Sequence, residues 1–126
     1  MQPIMHFEIH AANPERALRF YEDAFGWTAT KWDGPMDYWM LSAKRDGHGI
    51  DGAILQRRGE DPANGAATNA YVCTINVDSL DTSMQTVRNA GGEIVVDKME
   101  IPQVGWLAYA KDTEGNIFGM MQMTAA

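Results

Sequence analysis

One cysteine among 126 residues, Cys73, excludes an intrachain disulfide and any thiolate cluster for zinc. Long hydrophobic runs are missing too. The uninterrupted apolar stretches are a few residues each, far short of the roughly 20 that cross a bilayer. Met1–Met5 holds no Lys or Arg and no apolar segment follows, so no signal peptide is expected and the cytoplasm is the expected compartment. Positive charge is scarce: ten Lys and Arg stand against seventeen Asp and Glu, a net charge of −7. Nucleic acid and anionic membranes both ask for a basic surface, so neither is an expected partner. The acidity names no ligand by itself, since it suits a solubilising surface as well as a pocket for a cation. No nucleophile elbow, phosphate-binding glycine loop or dinucleotide fingerprint occurs; Gly47-His48-Gly49 lies in a strand-to-strand turn with no helix after it.

What is present fits one domain with a proper core, at 45% hydrophobic and 21% charged residues. Met5–Ala11 alternates and reads as a strand. Asn13 and Pro14 then supply an N-cap and a first helical residue, and Ala17, Leu18, Tyr21, Ala24 and Phe25 form one apolar helix face that Gly26 terminates. Strands are expected over Trp27–Asp33, Tyr38–Lys44 and Ile50–Arg57, with turns at Gly34-Pro35 and at Asp46-Gly47-His48-Gly49. Residues 59–69 are rich in Gly, Pro, Ala and Asn and read as a linker. The same order then returns: a strand at Tyr71–Val77, a helix capped by Asp78 or Ser79 with Leu80, Met84, Val87 and Ala90 on its apolar face, and Gly91-Gly92 to end it. Strands near Ile94–Met99, Trp106–Lys111 and Asn116–Met123 follow, with Asp112-Thr113-Glu114-Gly115 as the last turn.

A single constant shift lays the first half on the second. It pairs Ile9 with Ile75, Ala24 with Ala90, Gly26 with Gly92, Leu41 with Leu107, Asp46 with Asp112, Gly49 with Gly115 and Gln56 with Gln122. The shared register, at helix ends and turns, indicates an internal duplication. The expected fold is α+β: two tandem β-α-β-β-β modules forming an open curved sheet, module one at about 1–58, the linker at about 59–69 and module two at about 70–126.

The run from Ile4 to Trp27, with Arg16-Ala17-Leu18-Arg19-Phe20-Tyr21 on the helix and Phe25-Gly26-Trp27 after it, resembles the opening of the vicinal oxygen chelate (glyoxalase/bleomycin-resistance/dioxygenase) superfamily. Asn89-Ala90-Gly91-Gly92 and the closing Asp112-Thr113-Glu114-Gly115-Asn116-Ile117-Phe118-Gly119 resemble its second half. The resemblance implies an open trough holding a ligand, usually in a homodimer. In the family's enzymes it also implies a divalent metal on four side chains, two per module. Carried over, those positions fall on His6, Val72, Ala53 and Gly119. Three of the four have no side-chain lone pair, so this sequence is expected to lack the shared metal and to need no cofactor.

Alternation places His6, Glu8 and His10 on one strand face, about 6.6 Å between neighbours, so one ion can bridge two of them and not all three. The trio therefore reads as polar lining of a pocket, as a hydrogen-bonded buried group, or as an unconventional metal site. Glu8 is the candidate acceptor or base and His6 the candidate acid or base, with His10, Thr74 and Asn76 as ligand-binding residues that the resemblance turns toward the same trough. Glu8 is either a partly desolvated base or the partner of Arg57. Cys73 alternates away from that face and reads as a small core residue, and His48 as a solvated turn residue. Trp39, Met40 and Trp106 suit an apolar ligand, a core or a dimer interface. The expected function is binding of a small organic molecule, with metal-independent catalysis open. An antibiotic-sequestering protein and a metal-dependent lyase, isomerase or dioxygenase are the alternatives.

Overall fold

Two capping side chains start the two helices. In the computed structural model, which describes residues 1–67, 70–113 and 116–124, the side-chain Oδ1 of Asn13 accepts from the Arg16 N–H at 3.1 Å, and Pro14 opens helix α1 (Pro14–Phe25). Gly26 closes it at φ 76°, a left-handed conformation costly for any residue with a Cβ, and donates to the Glu22 carbonyl. Ser79 caps α2 (Leu80–Asn89), accepting from the Thr82 N–H. Gly91, at φ 98°, follows its end.

Around α1 lie β1 (Ile4–Ala11), β2 (Thr28–Lys31), β3 (Tyr38–Ser42) and β4 (Gly52–Gln56), in the spatial order β2-β3-β4-β1. β1 and β4 run parallel, because the whole α1-β2-β3 segment intervenes between them; the other pairs are antiparallel. Phe7, Ile9, Leu18, Leu41 and Ile54 are buried. Module two repeats the plan with β5 (Tyr71–Asn76), β6 (Glu93–Ile101), β7 (Gly105–Lys111) and β8 (Ile117–Met123), ordered β5-β8-β7-β6 with β5 and β8 parallel. Its core joins Val77, Leu80, Met84, Ala108, Ala110 and Met120, with Trp106 packed against it.

The α+β fold with two β-α-β-β-β modules is as the sequence indicates, but three details differ. The chain divides into His6–Tyr71 and a unit made of Met1–Met5 with Val72–Ala126, so the first five residues belong with module two, where the Asn76 N–H donates to the Pro3 carbonyl. Residues 59–67 of the expected linker fall within the first unit, whereas its end, Thr68 and Asn69, lies outside the described residues, as do Glu114 and Gly115 of the last turn. The expected apolar face of α1 is only half covered. Leu18 is buried, while Phe25 is 64% exposed, as is Phe20 at 58%.

The third difference concerns the repeat. Glu8 pairs with Ala53 and Thr74 with Gly119, consistent with the constant shift. The partner of Ala53 on β3 is Met40, however, and that of Gly119 on β7 is Tyr109, three residues beyond where the shift places it. Leu41 therefore corresponds to Ala110 and not to Leu107. The cause lies in the hairpin arms: β6 runs nine residues against four for β2, which carries β7 further along the chain, and the β7-to-β8 connection is correspondingly shorter than β3 to β4.

Candidate functional site

Register brings together residues far apart in sequence. Glu8, Ala53 and Met40 form one row across β1, β4 and β3, and His10, Leu55 and Tyr38 form the next. Side chains in these rows share a face. Ala53 presents only a methyl group between Glu8 and Met40, and Tyr38 extends its phenol to β1. The Tyr38 hydroxyl donates to Glu8 Oε2 at 3.0 Å and lies 2.9 Å from His6 Nε2.

Proton counting fixes the direction of this chain. A phenol has one hydrogen, and Tyr38 gives it to Glu8, so its oxygen accepts from His6, whose proton then sits on Nε2. Nδ1 is left with a lone pair. It has no partner among the described residues, and none of their buried side-chain nitrogens or oxygens lacks one, so Nδ1 reaches solvent. Burial lowers the pKa of His6 below its usual 6.5, against the opposing pull of Glu8 and then Asp51. At neutral pH His6 is therefore an uncharged base. A proton arriving at Nδ1 creates an imidazolium whose charge is met, through Tyr38, by the buried carboxyl group of Glu8. A base oriented by a second group that is held by a third is the arrangement acid–base catalysis requires.

The other residues singled out from the sequence lie outside this hydrogen-bonded chain. Arg57 does not pair with Glu8: its Nε donates to Asp61 at 3.1 Å and its Nη2 to the His10 carbonyl at 2.8 Å. His10 stands outside the hydrogen-bonded chain and borders a cleft at the end of β1. Thr74 and Asn76 lie on β5 of module two, where Thr74 is buried opposite Gly119. Cys73 is half-buried and alternates with Thr74 onto the face of Ile75, the core side. Trp39 pairs with buried Ile54, whereas Met40, 51% exposed, shares the face of Glu8. His48 is exposed in the turn it makes with Arg45.

A family-type metal does not fit these donors. Ala53 is fully buried with no lone pair to give. A Cβ on Gly119 would come within 2.8 Å of Thr74 Oγ1 and 3.2 Å of the Tyr109 ring, so even the first atom of a carboxylate side chain is crowded there. His6 Nε2 is committed to Tyr38. Among the described residues no three His, Cys, Asp or Glu side chains gather as metal ligands do.

Tyr38 is the residue that sequence reasoning missed. It opens a strand whose facing depends on pairing with β4, and no local pattern reveals that register.

Residues 4–120 match the sequence model of the Glyoxalase/Bleomycin resistance protein/Dioxygenase superfamily. A glyoxylase-like domain-containing protein of Didymella fabae is 33% identical over 120 residues, 90% of this chain and 88% of that protein. The Mycobacterium bovis protein CFP32 is 28% identical over 117 residues, and the match spans 91% of this chain but 42% of that longer protein. In three dimensions the methylmalonyl-CoA epimerase of Mycobacterium tuberculosis superposes with a TM-score of 0.69 over 97% of this chain and 88% of its own, at 12% identity, a likeness of fold alone. With the family match covering nearly the whole length and the same module plan in the structure, the chain belongs to the Glyoxalase/Bleomycin resistance protein/Dioxygenase superfamily.

Proposed function

We propose that this glyoxalase-like chain binds a small organic molecule on the sheet face of His6, Glu8 and Tyr38, and moves a proton there without a metal. The observation that carries this reading is the hydrogen-bonded sequence His6 Nε2, Tyr38 Oη, Glu8 Oε2, with Nδ1 open to solvent. The substrate class it suits is a carbonyl compound with an acidic neighbouring C–H. Nδ1 takes the proton, the electron pair passes into the carbonyl as an enolate, and the imidazolium returns the proton to carbon. The balance closes without an oxidant or a second substrate. Fold-mates that are methylmalonyl-CoA epimerases, one in complex with methylmalonyl-CoA, accord with such a substrate class, although they share only about the fold with this chain.

The test is exchange of the C2 proton of 2-methylmalonyl and β-keto thioesters in deuterium oxide, followed by proton NMR. Wild type should exchange it, and His6→Ala should be slower by about 100-fold, the scale of one positioned base. Equal rates in the two proteins, or no exchange above buffer, would overturn the catalytic reading. Binding that persists without exchange would favour a sequestering protein instead.

A further inference from the structure

The aromatic residues of module one are unevenly distributed. Phe7, Phe20, Tyr21, Phe25, Trp27 and Tyr71 form a continuous set of ring contacts on the α1 side, including Tyr21 stacked on Trp27 at 4.9 Å and Phe7 on Tyr71 at 5.3 Å. Phe7 lies in the core, but Phe20 and Tyr71 are 58% and 45% exposed. Exposed aromatics clustered in this way mark a contact surface more often than chance. The Tyr71 hydroxyl donates to Tyr21 Oη at 3.2 Å, holding the two rings together.

Beside these rings lies an open cleft of about 580 Å³. Alanines make the room: Ala11 at the end of β1, Ala17 on α1, and Ala70 each leave space that a larger residue would fill. Ile9 and Ala11, which line the cleft, alternate with Glu8 along β1, and although His10 borders the cleft, none of His6, Glu8 and Tyr38 lines it.

The polar groups at the cleft are cationic, although the chain as a whole carries −7. Arg16 lines it, and its guanidinium has no partner among the described residues. Arg57 also lines it. Two of its five N–H groups serve Asp61 and the His10 carbonyl, so three are left to donate. Asp61 offsets one of the two positive charges. A cation entering here meets a net repulsion, whereas an anion meets a planar guanidinium beside aromatic faces.

We infer that this cleft is a second ligand site, and that it takes a small planar aromatic carboxylate, its ring against Phe20 and Tyr71 and its carboxylate at Arg16. Guanidinium pairs with carboxylate in bidentate geometry, and the rings bury the flat hydrocarbon part. The site is separate from the proposed proton-transfer face and stands or falls without it.

Calorimetric titration with 2-naphthoate, 2-naphthalenemethanol and 2-naphthylmethylamine tests this. Naphthoate should bind about tenfold more tightly than the alcohol, and the amine should be weakest. Arg16→Gln should erase the preference for the carboxylate at unchanged thermal stability. Phe20→Ala, at an exposed position where folding is not at stake, should weaken all three ligands. His6→Ala should leave the affinities unchanged. The inference is overturned if naphthoate fails to bind at millimolar concentration, if alcohol and carboxylate bind alike, or if binding is lost in His6→Ala and kept in Arg16→Gln. A dimer that Phe20→Ala dissociates would also overturn it, by showing that a second copy covers the cleft.

Discussion

At the scale of single residues, the chain through Tyr38 has a pH consequence. Burial holds the pKa of His6 below 6.5, so the unfolded chain takes up a proton where the folded one does not. The stability associated with neutral His6 is thus complete above pH 6.5 and is lost as pH falls through the folded value. Urea unfolding between about pH 8 and about pH 5.5 should show a steeper loss in wild type than in His6→Gln. Parallel losses would show that His6 is no more shielded from protonation folded than unfolded. Tyr38→Phe should cost about 1–2 kcal/mol in the same assay at pH 8, because the buried Glu8 loses a donor. Tyr71 answers in the opposite direction. Partial burial, then its bond to Tyr21, push its hydroxyl up to about 12, so its small contribution is full below pH 10 and disappears through 12. Of the acid–base chain, His6 and Glu8 were legible from alternation along one strand. Tyr38 was not, because a residue 30 positions away enters only through the pairing of β3 with β4. Of the two readings of Glu8, the pairing with Arg57 does not occur, because Asp61, four residues away in sequence, takes the guanidinium instead.

At the scale of elements, end signals proved the most readable feature. Asn13, Pro14, Gly26 and Ser79 act where their chemistry says they should, since caps work through bonds three or four residues long. Asn13→Ala should therefore lower stability by about 1 kcal/mol, and Asn13→Asp should largely retain it, in chemical denaturation at neutral pH. If both variants matched wild type, α1 would be held by packing alone. The covered side of α1 was less readable. Tyr21, Ala24 and Phe25 recur at helical spacing, yet periodicity records only which residues share a face, and here that face extends past its cover. Strand facing was harder still. The constant shift carries β1 onto β5, β4 onto β8 and the start of α1 onto that of α2. The left-handed glycine after α2, however, is Gly91 where the shift expects Gly92, and β7 is misplaced because β6 is longer than β2 and no identity within the strand exposes the change.

For the whole molecule, we propose assembly as a homodimer. The outer strands limit how this can occur. β2 is four residues long and carries Lys31, and β6 has two register shifts and the charged run Asp97, Lys98, Glu100. Such features discourage edge-to-edge pairing, so the copies should meet through side chains and not by extending a sheet. Light scattering at micromolar concentration should return twice the 14.0 kDa chain mass, unchanged in Phe20→Ala. A mass of one chain would remove the proposal. The three-residue offset between β3 and β7 also sets a design rule. Tyr38 pairs with Leu55, and the matching pair in module two is Leu107 with Met121. Transplanting the acid–base chain into the other half thus calls for Val72→His, Thr74→Glu and Leu107→Tyr. An engineer who trusted the simple repeat would have mutated Val104, three residues short, and built a tyrosine facing the wrong neighbours.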